Sequence, residues 1–241
     1  MAPFTYNRSV SKKPNKATKR ILTAMKRFIF SYQIINHRCT NLKEPFDEFV
    51  KKELAPNILL ITCGLPGTYK TETSQEIQKI KGYPILRTDI IRLEVLKNED
   101  IFDVKVAGNI NKRMLVYDEM FRQAEDLAKK GNGVILDATF VTQDLRRRAA
   151  EIAAKTNIPF VILQTNCSED ASINRILKRT KENYESNALT KEAYVANQKK
   201  FQPVDLDYLK GLYPGLNVTH LTVDTEYNEP EKWYIIRKEV K

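Results

Sequence analysis

The pattern of apolar and polar positions from residue 57 onward predicts strands that alternate with helices. Five short apolar runs have the composition of strands buried on both faces: residues 58–61, 84–87, 134–136, 159–164 and 218–223. Helical spacing or helix start signals mark seven further segments: residues 71–80, 88–96, 114–128, 143–155, 170–179, 189–201 and 229–241. This order predicts right-handed crossovers, a mainly parallel five-stranded sheet and a three-layer α/β sandwich.

The pattern is different before residue 57. Residues 1–16 are rich in Ser, Asn, Lys and Pro, which predicts an unstructured tail. Apolar residues at helical spacing between 21 and 35, and again between 46 and 54, predict two helices. We therefore divide the chain into a basic N-terminal extension, residues 1–55, and a main α/β domain, residues 56–241, with a lid at about residues 175–190.

Charge is concentrated in that extension. Residues 1–43 contain ten Lys or Arg and no Asp or Glu, while the other 30 basic residues are balanced by the 30 acidic ones, so the whole +10 lies there. Three interpretations fit: a helix packed on the main domain with a solvated polar side, a nucleic-acid contact through phosphate attraction, or an organelle-targeting peptide.

Cysteine and histidine are sparse. Three widely spaced cysteines and two distant histidines offer neither a disulfide framework nor a zinc cluster. No signal-peptide core and no stretch long enough to span a bilayer is visible. We expect a protein without a membrane partner in a reducing, cytoplasmic compartment, with an organelle as the alternative.

The loop after the first strand is the most informative motif. Residues 64–71 nearly match the phosphate-binding pattern G-x-x-x-x-G-K-[ST]. Gly64 and Gly67 supply backbone freedom, Lys70 a charge for the outer phosphates of a nucleotide and Thr71 a hydroxyl for Mg²⁺. Tyr69 stands where the pattern has its second glycine. A tight strand-to-helix turn with a solvated Lys70 is the alternative.

Three carboxylates follow strands of the predicted sheet. Asp89, Asp137 and Asp224 each come at or just after a strand end, and parallel strands bring such ends to one edge. A phosphoryl-transfer site needs Mg²⁺ and a carboxylate that takes the proton of the acceptor hydroxyl. The alternatives are a helix N-cap for Asp89 and a strand-end turn for Asp137.

Candidate cations come later in the chain. Arg175 and Arg179 are four residues apart and share one helix face, followed by a polar stretch, residues 180–187, suited to a lid. An ordinary solvated helix end has the same pattern. In the run 146–148, three consecutive arginines, at least one side chain is expected to face solvent.

Taken together, these motifs resemble the P-loop kinases that include polynucleotide 5′-hydroxyl kinases, zeta toxins and AAA-type predicted kinases. The resemblance covers residues 57–226. Five segments carry it: the phosphate loop at 64–71, Arg-Thr-Asp-Ile-Ile-Arg at 87–92, Leu-Asp-Ala-Thr-Phe at 136–140, the arginines of 175–179, and Val-Asp-Thr at 223–225.

The resemblance implies ATP and Mg²⁺ as cofactors and roles for particular residues. Asp89 would be the general base, and Lys70 and Arg179 would stabilise the transferring phosphoryl. Thr71 and Asp137 would hold the metal. The acceptor would be bound by Asp89, Arg92, Asp137 and Thr139. The nucleotide would be bound by Gly64, Leu65, Pro66, Gly67, Thr68, Tyr69, Lys70, Thr71, Arg175 and Arg179.

The function expected from the resemblance is transfer of the γ-phosphate of ATP to a hydroxyl, with a polynucleotide 5′-hydroxyl or nucleotide-like acceptor favoured. A second hypothesis is a catalytically weakened domain that binds nucleic acid or acts as a scaffold, because Tyr69 and Glu72 depart from the family pattern. An ATPase is the third. The sequence indicates no oligomeric state.

Overall fold

The computed structural model describes residues 38–179 and 188–241, and residues 39–241 form one compact unit. Its strands are β1 Arg38–Pro45, β2 Leu59–Cys63, β3 Ile85–Arg87, β4 Val134–Asp137, β5 Phe160–Asn166, β6 Val218–Asp224 and β7 Tyr234–Val240. Its α-helices are α1 Phe46–Glu53, α2 Lys70–Lys81, α3 Thr88–Val95, α4 Val104–Gly108, α5 Ile110–Ala128, α6 Gln143–Thr156, α7 Glu169–Leu177, α8 Lys191–Lys200 and α9 Leu206–Leu212.

These strands form one sheet in the order β1-β7-β6-β5-β2-β4-β3. The five strands expected from the apolar runs are mutually parallel, with β2 paired to both β4 and β5. The predicted mainly parallel sheet is therefore confirmed. Because β2 lies in the middle, its carboxyl end, where the glycine-bearing loop begins, is flanked by the ends of β4 and β5.

Helices cover both faces of the sheet, as a three-layer sandwich requires. Leu59 and Ile61 of β2 belong to the core on one face, which α3, α5, α6 and α9 cover. Leu60 points to the other face, where it joins the core formed with α1, α2 and Trp233. All five residues of β2 are fully buried, which explains why its sequence is apolar without alternation.

The end of the chain corrects one prediction. Residues 229–241 are not a helix: Pro230–Lys232 form a single 3₁₀ turn, and β7 then pairs antiparallel with β6. The β-branched Ile235 and Ile236 suit a strand, and the edge of β6 offers them backbone partners. At the same edge of the sheet β1 is hydrogen-bonded to β7, where the sequence pattern predicted no strand.

Several predictions lie partly or wholly outside the described residues. The tail at 1–16, the helix between 21 and 35 and the polar part of the lid at 180–187 all lie outside them. The second N-terminal helix lies inside and is confirmed as α1. Within residues 38–179 and 188–241, no helix is long and apolar enough to cross a membrane.

The three consecutive arginines of α6 differ in exposure: the side chains of Arg147 and Arg148 are partly exposed, as expected for such a run, while Arg146 lies inside. Arg146 is fully buried, and its guanidinium donates to the backbone carbonyls of Phe140 at 2.9 Å, Gln202 at 2.7 Å and Pro203 at 2.9 Å. The guanidinium also lies 5.2 Å from the centre of the Phe201 ring. Arg146 therefore fastens the turn after β4 to the segment between α8 and α9.

Replacing Arg146 with methionine is expected to lower the free energy of unfolding by about 3 kcal/mol, because one buried and two partly buried backbone carbonyls lose their charged donor. Urea denaturation measures this. Arg147→Met is the matched control: Arg147 makes partly exposed ion pairs with Asp144 and Glu151, so the loss there is expected to stay below about 1 kcal/mol. Equal losses for the two variants would contradict the buried anchor.

Candidate functional site

The loop between β2 and α2 follows a tight path that two glycines make possible. Gly64 and Gly67 have φ values of 147° and 80°. A Cβ atom on Gly64 would lie 2.6 Å from Thr165 Oγ1, and one on Gly67 would collide with the carbonyl of Ser172. Both glycines are therefore required by close approach as well as by backbone conformation.

Tyr69 takes the backbone conformation that glycine would supply. Its φ of 59° and ψ of 37° are left-handed, and it is the N-cap residue of α2. Its ring packs against Arg175 and Trp233. A left-handed residue with a side chain costs about 1–2 kcal/mol, and these contacts offset that cost. The loop thus keeps its turn despite the missing glycine.

Lys70 is held across the loop. Its ammonium donates to the carbonyl of Leu65 at 2.6 Å. Burial lowers the pKa of Lys70 to about 8, and the carboxylate of Asp137 opposes this shift. An anion that enters the loop would stabilise the charged form of Lys70 and raise its pKa.

Thr71 and Asp137 lie in direct contact. The Thr71 hydroxyl donates to Asp137 Oδ2 at 2.6 Å, and the Thr62 hydroxyl donates to Asp137 Oδ1 at 3.2 Å. Burial raises the pKa of Asp137, while the hydrogen bond from Thr71 opposes the shift. Arg87 Nε lies 3.5 Å from Oδ2. The carboxylate therefore joins the start of α2 to the end of β4 and does not merely terminate a strand.

This pair has the donor chemistry that Mg²⁺ requires. A hydroxyl and a carboxylate are oxygen ligands, and Mg²⁺ typically takes one or two protein ligands together with substrate phosphates and water. Among the described residues, no group of three or more Asp, Glu, His or Cys could hold a metal. Thr71 and Asp137 thus fit an ion that arrives with a nucleotide rather than one held by a full set of protein ligands.

Asp89 lies inside its helix and does not cap it. It is the second residue of α3, whose N-cap residue, Arg87, makes no side-chain cap. Its carboxylate accepts a hydrogen bond from Arg92 Nη1 at 2.8 Å, and both side chains are largely buried. The N-cap interpretation of Asp89 is therefore wrong.

These side chains open into one cavity of about 670 Å³. The phosphate loop contributes Pro66, Gly67, Tyr69, Lys70 and Thr71 to its wall. The other predicted site residues in the wall are Asp89, Arg92, Asp137, Thr139 and Arg179. Glu72 also lines the cavity, and burial raises its pKa. Ten of the fourteen predicted site residues thus line one cavity, and Gly64, Leu65, Thr68 and Arg175 do not.

Arg175 is the main exception, because it does not line this cavity. Its guanidinium donates to the backbone carbonyls of Thr225 at 2.9 Å and Glu226 at 2.8 Å. Asp224 is likewise engaged in a turn, where its carboxylate accepts from the amide of Glu226 at 3.0 Å. The predicted shared helix face of Arg175 and Arg179 is therefore wrong, because the helix ends at Leu177 and Arg179 lies beyond it.

The cavity wall also contains residues that the sequence analysis missed. Arg113 and Tyr117 of α5, and Asn197 and Lys200 of α8, all line it. Arg113 and Tyr117 are four residues apart and so lie on the same face of α5, a spacing that the sequence already shows. No local sign pointed to α8, since its contribution depends on tertiary packing.

The P-loop nucleotide-binding class is defined by a glycine-bearing loop between a buried strand and a helix. Lysine and threonine stand at the start of that helix, and an aspartate at a strand end lies opposite. The sheet and its helices give that class a kinase-like fold. The model of the AAA domain family matches residues 59–204, and the chain belongs to this family.

The chain is also similar to other proteins in sequence and in fold. Uncharacterised proteins of Mycobacterium bovis and Mycobacterium tuberculosis are 28% identical over 146 residues; the match covers 58% of this chain and 29% of their length. A kinase candidate from Chloroflexus aurantiacus shares the fold at 20% identity and a TM-score of 0.56, covering 74% of this chain and 92% of that one. A Janibacter sugar kinase matches at 11% identity and a TM-score of 0.50, covering 74% and 90%.

The lowered pKa of Lys70 predicts that nucleotide binding is linked to proton uptake. With a pKa of about 8, Lys70 is largely neutral at pH 8.5, and incoming phosphates raise this pKa so that Lys70 takes up a proton from the buffer. Affinity for Mg·ATP is therefore expected to fall as the pH rises above about 8. Calorimetry at pH 8.5 in buffers of different ionisation enthalpy measures the uptake directly.

Lys70→Arg serves as the control for that measurement. A guanidinium stays charged throughout this pH range, so proton uptake should disappear while a positive charge remains. The same uptake in the wild-type protein and in Lys70→Arg would show that another group takes the proton.

Proposed function

We propose that this chain is an ATP- and Mg²⁺-dependent phosphotransferase that transfers the γ-phosphate to a hydroxyl group. One observation carries the proposal: Asp89 lies in the same cavity as Lys70, Thr71 and Asp137. A nucleotide site alone requires only the last three. A partly buried carboxylate facing them supplies the base that an acceptor hydroxyl needs.

Asp89 takes the proton of the acceptor hydroxyl as the acceptor oxygen bonds to the γ-phosphorus. The bond from that phosphorus to the β–γ bridging oxygen breaks, and ADP leaves with the electron pair. Arg92 Nη1 donates to the Asp89 carboxylate at 2.8 Å and so fixes the orientation of the base.

Positive charge in the cavity would stabilise the transferring phosphoryl. Lys70 and Arg179 both line the wall and serve this role. Mg²⁺, which Thr71 and Asp137 would hold, neutralises charge on the phosphate oxygens when it is bound. Because the reaction requires little covalent chemistry from the protein, these charges and their positions account for most of the catalysis.

The acceptor we favour carries an anionic group, as a nucleotide or the end of a polynucleotide does. Arg92, Arg113 and Lys200 line the cavity in addition to the groups assigned to ATP. Apolar contact is available from Ile101 and Phe102. A weakened scaffold domain is less well supported, because Tyr69 keeps the left-handed backbone conformation that the missing glycine would supply.

The test of the base is Asp89→Asn. Asparagine keeps the shape and the hydrogen bond from Arg92 but cannot take the proton, so kcat for transfer is expected to fall about 10²- to 10⁴-fold. Affinity for Mg·ATP, measured by calorimetry, should change less than about threefold. The assay follows label transfer from [γ-³²P]ATP to a panel of oligonucleotides, nucleosides, sugar phosphates and sugars.

Asp126→Asn is the matched control. Asp126 lies on the exposed side of α5, where it makes a surface ion pair with Arg122, so its loss should leave kcat unchanged. Normal transfer by Asp89→Asn would exclude Asp89 as the base. A protein that hydrolyses ATP equally well with and without every acceptor in the panel would be an ATPase instead.

A further inference from the structure

Arg175 makes contacts that tie three parts of the chain together. Besides the carbonyls of Thr225 and Glu226, its guanidinium donates to the carbonyl of Gly67 in the phosphate loop at 3.2 Å. It also approaches Asn228 Oδ1 at 3.3 Å. A side chain of α7 thus links the loop to the connection between β6 and β7.

Tyr69 adds a second link to the same connection. The guanidinium of Arg175 lies 3.8 Å from the centre of the Tyr69 ring, and the Trp233 ring lies 5.7 Å from it on centroids. The Tyr69 hydroxyl donates to Asn228 Oδ1 at 2.7 Å. Tyr69 stands where the pattern has glycine, and its ring therefore contacts a guanidinium and an aromatic ring while its hydroxyl contacts an amide.

The connection itself, residues 225–233, is anchored in the core. The Thr225 hydroxyl donates to the carbonyl of Thr68 at 3.0 Å. At the other end Trp233 is fully buried, donates to the Tyr227 carbonyl at 2.8 Å and packs edge-on against Phe46. We name Tyr69, Arg175 and residues 225–233 the loop clamp.

We propose that the loop clamp holds the phosphate loop in its nucleotide-receiving conformation before nucleotide arrives, with Tyr69 and Arg175 as positioning residues. This proposal rests on the proposed function, since it concerns the same nucleotide site. In a loop with glycine at position 69, the backbone loses freedom when phosphate binds. Here the contacts of the Tyr69 ring restrict the backbone beforehand, so binding orders less of the chain.

The clamp makes a prediction opposite to the one that the phosphate-loop pattern suggests. Restoring the pattern with Tyr69→Gly relieves the left-handed strain, yet it is expected to weaken Mg·ATP binding about tenfold, the effect of losing one cation–π and one aromatic contact. Arg175→Lys, which loses the planar fork and the stacking, is expected to behave similarly. Calorimetry with ATP and Mg²⁺ on the full chain measures both.

A milder variant guards against loss of folding. Asn228 is exposed, and Asn228→Ala removes the acceptor that the Tyr69 hydroxyl and Arg175 Nε share, while the ring contacts of Tyr69 stay in place. About two- to threefold weaker binding is therefore expected. Hydrogen exchange of the amides at residues 64–71 should be faster in all three variants without nucleotide. Unchanged exchange in these amides would overturn the proposal.

Kinetics separate positioning from a general loss of stability. In the clamp variants KM for ATP should rise with the dissociation constant, while kcat and KM for the acceptor stay within about twofold. Val218→Ala provides the control, because Val218 is fully buried at the start of β6, remote along that strand from the loop. It should lower stability without changing KM for ATP.

The outcomes distinguish the two proposals. A wild-type protein that binds no Mg·ATP in the millimolar range would overturn the proposed function. A wild-type protein that binds Mg·ATP, with Tyr69→Gly and Arg175→Lys binding as tightly or more tightly, would overturn the clamp alone. A rise in KM for ATP in Val218→Ala as large as that in the clamp variants would also overturn it.

Discussion

The hydrogen bond between Thr71 and Asp137 is the contact on which the geometry of the site depends. It exists because β2 and β4 are parallel neighbours, so the helix that follows one strand begins beside the carboxyl end of the other. This contact fastens the start of α2 to the end of β4, and Lys70 is the first residue of that helix. Asp89 enters from β3, the next strand outward, which places it across the cavity from the loop.

The parallel core of the fold was predictable because its strands are buried on both faces, and such strands have a composition that single sequences reveal. The final strand was not. Glu229 and Pro230, which precede this strand, resemble a helix start, and the strand preference of two adjacent isoleucines is too short a signal to exclude a helix. What decides the outcome is the free edge of β6, a partner that no local pattern describes.

The residues of the candidate site likewise divide into those that the sequence locates and those that it does not. Lys70, Thr71, Asp89 and Asp137 are located by contiguous motifs attached to strand ends, so their convergence follows from the sheet. The position of Arg175 depends on residues some 50 positions further along the chain, which spacing on α7 cannot reveal. The contributions of α5 and α8 to the cavity wall depend similarly on how whole helices pack.

The turn after β4 supports two walls of the cavity at once. On one side it continues from the carboxylate that faces the phosphate loop. On the other side, the Val141 carbonyl accepts a hydrogen bond from the Gln202 amide at 2.8 Å, and buried Arg146 donates to the Gln202 carbonyl. The end of α8 is therefore fixed to this turn. The cavity walls at β4 and α8 therefore share one mechanical support. A substitution on α8 that reshapes the cavity would have to keep that support unchanged, since the same turn continues from Asp137.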